Sequence, residues 1–187
     1  MNFPEDPPAS FAAGGNLIEE LDQRPKAFPS LQLKKILVPT NFSENSEKAL
    51  IYAIRLAQRN NSSLILFHVF ERYEFVRQLP QDYSYESSEE TSNRLDTAMR
   101  RSAEKLEALS RTVQESNIKI ESSQRLGTPY EEVVKVAEVD EVDLIVIATH
   151  GYTGLKHFLH GSTAELVVRL APCPVLVVRQ EERDFIA

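Results

Sequence analysis

Beyond residue 33 the chain alternates short apolar runs with longer amphipathic stretches. Lys35–Ile36–Leu37–Val38 is an apolar run closed by Pro39, the pattern of a strand covered on both faces. Ser43 is placed to cap a helix over residues 44–60, where Ala49, Leu50, Ala53, Ile54, Leu56 and Ala57 form one stripe at helical spacing. Ser63–Phe70 (SLILFHVF) predicts a second strand. Glu71–Asn93 is polar, carries tyrosines and is too long for a tight turn. A second helix follows it, with Leu95, Met99, Ala103, Leu106, Leu109 and Val113 on one side.

Ile118, Ile120 and Ser122 predict a third, more exposed strand. Thr128–Pro129–Tyr130–Glu131 marks a helix start, with a cap, a proline in the first turn and an acid at the capping-box position. Val133, Val134, Val136 and Ala137 make its buried side. Asp143–Thr149 (DLIVIAT) is the most apolar strand, Thr163–Leu170 a last helix and Val175–Val178 a last strand. Strands separated by helices need crossover connections, so the expectation is an α/β fold: a doubly wound, five-stranded parallel sheet with helices on both faces. Ligands bind such sheets beyond the carboxyl ends of the strands, where strand order reverses. The loops after the first and fourth strands, Pro39–Ser43 and His150–Ser162, are therefore the candidate site.

Residues 1–33 have a different composition, holding five of the ten prolines and an Ala13–Gly14–Gly15 patch. Such a stretch buries too little apolar surface to offset its ordering entropy and is expected to be a flexible leader. The alternative is one amphipathic turn at Leu17–Leu21 that docks on the domain or on a partner. Residues 34–180 then form the domain and 181–187 a short tail. The formal net charge of -7 gives no broad attraction to nucleic acid or to anionic lipid. Acids and prolines stand where a signal peptide would carry lysines and an apolar run, and the apolar runs are too short for a membrane span, so the cytoplasm is expected. The only cysteine, Cys173, cannot form an internal disulfide.

KKILVPTNFSENSEKAL at 34–50, ATHGYTGLKHFLHGSTAE at 148–165 and APCPVLVVR at 171–179 together resemble the universal stress protein family. The resemblance covers about residues 33–180. Gly151, the nine residues Tyr152–His160 and Gly161–Ser162 match that family's ATP signature. The resemblance implies strand order 3-2-1-4-5 and a homodimer through Val175–Val178. It also implies adenine near the ends of the first two strands, at Pro39 and Val69, and phosphates near Gly151, Gly161, Ser162 and Thr163. The segment Thr40–Asn41 and Ala148 belong to the same implied nucleotide site. ATP, with AMP as an alternative, and Mg2+ are the implied ligands, with an unidentified protein partner.

Two positions depart from the family pattern. Asn41 stands where ATP-binding members usually carry aspartate, keeping an acceptor oxygen, adding a donor and losing the charge. Ala148 stands at the first signature glycine. At negative φ its methyl group is a local steric change; at positive φ it is strained.

The glycines themselves have a physical use. Gly151, Gly154 and Gly161 let backbone N–H groups turn towards an anion, and the helix starting at Thr163 adds its free N–H groups and positive dipole end. Ser162–Thr163–Ala164–Glu165 is equally a capping box, which would compete for those N–H groups. His150, His157 and His160 have no carboxylate or thiolate at metal-ligand spacing, and no dedicated metal site is expected. His68 reads as a side chain on a sheet face, and Arg100, Arg101, Lys105 and Arg111 as a solvated helix face. Asn41 cannot accept a phosphoryl group as a receiver-domain aspartate would, and PTNFSENS lacks the glycines of a flavin or ATP-pyrophosphatase loop. No serine, nor Cys173, has a convincing base partner. The expectation is a nucleotide-binding regulator rather than an enzyme, with a nucleotide-free interaction module of the same fold as the alternative and slow ATP hydrolysis as a third reading.

Overall fold

The computed structural model describes residues 32–71, 75, 88–149 and 163–179. The leader up to residue 31, most of the tyrosine-bearing stretch, residues 150–162 and the tail lie outside them, and so do the expectations that fall there. Among the described residues the elements run β1 (Lys35–Pro39), α1 (Glu44–Asn60), β2 (Ser63–Phe70), α2 (Ser88–Gln114), β3 (Ile120–Leu126), α3 (Pro129–Val139), β4 (Leu144–Thr149), α4 (Thr163–Leu170) and β5 (Val175–Arg179). The strands form one sheet in the order β3-β2-β1-β4-β5, with every neighbouring pair parallel. This is the doubly wound α/β fold that the alternation predicts.

Side-chain parity along the strands divides the core into two layers. Ile36, Val38, Leu64, Leu66 and Val146 pack with α1 and α2 residues such as Tyr52, Ala53, Leu106 and Val113. Leu37, Ile65, Phe67, Ile145 and Ile147 pack with Val133, Val136 and Ala137 of α3 and Ala164 and Val167 of α4. Ile36, Leu37 and Val38 are fully buried, as expected for the central strand. Leu33, just before β1, is also buried in the first layer.

Helix α1 starts and stops where its sequence says it should. Ser43 is extended and its Oγ accepts the Ser46 N–H at 3.4 Å, while Asn61 closes the helix in the left-handed region at φ 56°. Helix α2 begins at Ser88, earlier than its apolar stripe predicts. Its first turn carries Glu89 and Glu90, which suit the dipole but are solvated, so hydrophobic periodicity cannot register them. The capping box expected at Thr128 does not form. Thr128 has cap geometry but no side-chain bond, and Glu131 instead accepts the Tyr130 hydroxyl at 2.9 Å. Asp143 precedes β4 rather than opening it, and its Oδ2 accepts the N–H groups of Lys34 and Lys35 at 2.8 Å each. That carboxylate stitches the amino ends of β1 and β4 together.

Strand β3 is an exposed, polar edge, with Glu121, Ser122 and Ser123 open to solvent. Ile118, assigned to it from the sequence, is buried but lies before the strand. At the opposite edge Val175, Leu176 and Val177 are half-buried, and Val168 and Leu170 of α4 are exposed.

Candidate functional site

Strand order reverses between β1 and β4: β2 and β3 extend to one side of β1, β4 and β5 to the other. The β1–β2 register runs from Lys35↔Ser63 to Pro39↔Phe67, but the β1–β4 register holds only Ile36↔Leu144 and Leu37↔Ile145. The cause lies in Pro39. Thr40 donates its N–H to Phe67 O, on the β2 side, while Lys35 O accepts the Asp143 N–H, on the β4 side. Backbone groups of successive strand residues point to opposite neighbours, so the N–H that Pro39 lacks falls on the β4 side. The ladder cannot continue there, and the carboxyl halves of β1 and β4, each still paired with its outer neighbour, are not paired with each other at the point where such sheets hold ligands.

The segment after Pro39 is tightly bracketed. Thr40 is buried; its Oγ1 accepts the Phe42 N–H at 3.1 Å and lies 3.1 Å from Ser46 Oγ. Asn41 is exposed, yet its Oδ1 accepts both the Ser43 N–H (3.2 Å) and the Ser43 hydroxyl (2.6 Å). The acceptor that Asn41 shares with aspartate is therefore engaged in the turn, and the Nδ2 amide remains to meet a ligand. Between them Phe42 has φ 61°, a left-handed conformation that costs a non-glycine residue roughly 1–2 kcal/mol.

What holds Phe42 there comes from two other elements. Its ring lies against the His68 imidazole of β2, with centroids 4.5 Å apart at an interplanar angle of 43°. Lys105 Nζ of α2 stands 5.7 Å from the Phe42 ring centroid, a cation–π arrangement. His68 Nδ1 lies 2.7 Å from Thr40 O. A carbonyl can only accept, so Nδ1 carries the proton. Burial lowers the His68 pKa; the Thr40 carbonyl works against this and Lys105 adds to it, favouring the neutral ring. The sequence singled out neither Phe42 nor this role for His68, and it placed Lys105 on a solvated face. Lys105 is indeed exposed, but it reaches Phe42 of the β1–α1 loop.

The remaining candidates divide between the two faces of the sheet. Val69 packs against the layer of α3 and α4, and strand alternation puts Pro39 on the same side. Ala148 lies inside β4, outside the positive-φ residues, and packs against the α1 and α2 layer. The strained alternative for Ala148 is thereby removed. Thr163 is the first residue of α4, half-buried. Gly151, Gly161 and Ser162 lie outside the described residues. Among the described residues no group of three or more His, Cys, Asp or Glu side chains could hold a metal ion, and no helix is long and apolar enough to cross a membrane. Cys173 is half-buried; burial first, then Asp143, raises its thiol pKa, with a backbone bond at Ile145 opposing.

Residues 32–179 match the family model described as the universal stress protein family. This chain belongs to that family. Among universal stress proteins it is similar to MJ0577 of Methanocaldococcus jannaschii, 34% identical over 159 residues, spanning 81% of this chain and 98% of that one. The solved structure of MJ0577 superimposes with a TM-score of 0.66 at 33% identity, covering 82% of this chain and all (100%) of that one. A universal stress protein solved in complex with cAMP has a TM-score of 0.57 at 22% identity, covering 81% of this chain and 100% of that one. At that identity the likeness is one of fold.

Proposed function

We propose that this universal stress protein binds an adenine nucleotide, ATP in the first instance, at the β1/β4 switch point, and that it acts in the cytoplasm as a homodimeric regulator in stress response rather than as a metabolic enzyme. The observation that carries the reading is the early end of the β1–β4 ladder at Leu37↔Ile145, beyond which the two strands no longer pair with each other, beside an exposed Asn41 amide. The residues present suit the ligand. Asn41 Nδ2 can donate to a nucleotide acceptor, and Pro39 and Val69 supply apolar surface for a base. Helix α4 starts at Thr163, immediately after the Gly151–Ser162 signature in the sequence, and the positive end of its dipole suits an anion. ATP brings chelating phosphates, and Mg2+ bound through them needs no dedicated protein cage.

A family relative solved with cAMP supports adenine nucleotides as a ligand class that this fold accommodates. The dimer is supported by β5, an apolar edge strand beside the exposed Val168 and Leu170, since a self-complementary edge is satisfied by its own copy. Calorimetric titration with ATP and magnesium tests the nucleotide reading. The expected result is measurable heat together with stabilisation of about 2.7 kcal/mol at a hundredfold excess over Kd. No heat and no change in melting temperature at millimolar ATP would overturn it in favour of a nucleotide-free interaction module.

A further inference from the structure

We propose that His68 is a positioning residue for the β1–α1 loop: its Nδ1–H holds the Thr40 carbonyl and so fixes the direction in which Asn41 meets a ligand, while its ring packs on Phe42 and adds stability. The inference rests on the nucleotide reading of this loop and adds to it a residue read from the sequence only as a side chain on a sheet face.

Four observations converge. The His68–Thr40 bond is short, 2.7 Å, and it fixes the peptide that carries Asn41. Phe42 occupies a left-handed conformation at φ 61°, which curls the chain so that the Ser43 N–H and hydroxyl reach Asn41 Oδ1. A bulky residue keeps such a conformation only where its surroundings over-determine it. Here the His68 ring lies on it at 4.5 Å and the Lys105 ammonium stands 5.7 Å from its centroid. The chain of contacts is therefore α2 to loop through Lys105, β2 to loop through His68, and loop to ligand through Asn41. His68 points to the α1 and α2 side of the sheet, whereas its neighbours Phe67 and Val69 point to the other, so His68 reaches the loop without lining the apolar side of the site.

A residue that merely fills space would be replaced without consequence by an apolar side chain of similar volume. Two variants separate the possibilities. His68→Leu removes donor and ring; His68→Asn loses the ring but keeps an N–H donor close to the position of Nδ1. Titration with ATP and magnesium is expected to show affinity weakened about tenfold in His68→Leu, the scale of one lost hydrogen bond. His68→Asn is expected to stay within about threefold of the parent, although both variants lose the Phe42 contact and melt at lower temperature. Parent-like affinity in His68→Leu, or equal weakening in both variants, overturns the proposal.

Should the parent itself bind no ATP, the nucleotide reading fails and the positioning claim is decided without ligand. Amide exchange at Ser43 would accelerate in His68→Leu and be restored in His68→Asn if His68 sets the loop, and would be the same in both if it does not.

Discussion

Replacing Ala148 by glycine creates the residue that the family signature places there, and the packing of β4 gives the sign of its effect on stability. Ala148 has an ordinary strand conformation, so glycine relieves no strain. Glycine in a strand interior costs roughly 0.5–1 kcal/mol relative to alanine through backbone entropy. The lost methyl group is half-buried against the α1 and α2 layer, which removes about half of the ~0.8 kcal/mol of a fully buried methylene. Ala148→Gly should thus destabilise by about 1–1.5 kcal/mol, equivalent to a melting temperature about 2–5 °C lower for a domain of this size. Asn41→Asp should act in the opposite direction. The carboxylate keeps the acceptor for the Ser43 N–H and hydroxyl, and its charge stands just ahead of the N-terminus of α1, a gain of about 0.3–1 kcal/mol at low salt. Thermal melts and urea titrations of the two single variants and of the double variant measure both terms. In ATP titrations, tighter binding by the double variant should trace to Asn41→Asp, because only that change alters hydrogen-bonding groups. A stabilised Ala148→Gly that also binds ATP more tightly would refute the placement of the Ala148 methyl group.

Two further outcomes test the frame around the site. Asp143→Ala removes the carboxylate that accepts the Lys34 and Lys35 N–H groups, and should cost about 2 kcal/mol in urea unfolding, with Asp143→Asn intermediate; an unchanged midpoint would mean that water replaces the stitch at no cost. Val177→Lys should yield monomers or insoluble protein, because it puts a charge into the β5 edge, and light scattering that finds the parent chain monomeric at micromolar concentration would refute the edge-paired dimer.

Much of the architecture was legible in the sequence because secondary structure is encoded locally. The period of the apolar positions located α1 and β2 to the residue, and Ser43 announced its own cap. The fold class followed from the alternation, and the strand order from the family resemblance. Local patterns failed where solvent, rather than the core, surrounds the chain: the polar first turn of α2 carries no apolar stripe, and the Thr128 box was replaced by a Tyr130–Glu131 bond that letters alone do not favour. Position in the candidate site was likewise legible for Pro39, Asn41 and Ala148, but their roles were not. Pro39 ends the β1–β4 ladder only because its missing N–H points to β4, a direction set by register. Ala148 is unstrained because it lies within β4 and its methyl has the α1 and α2 layer to pack on. Phe42, His68 and Lys105 come from a loop, a strand and a helix far apart in sequence, and meet only because crossovers of one sense place α1 and α2 on the same face of the sheet. Periodicity tells each side chain which way to point; only the assembled sheet decides what it finds there.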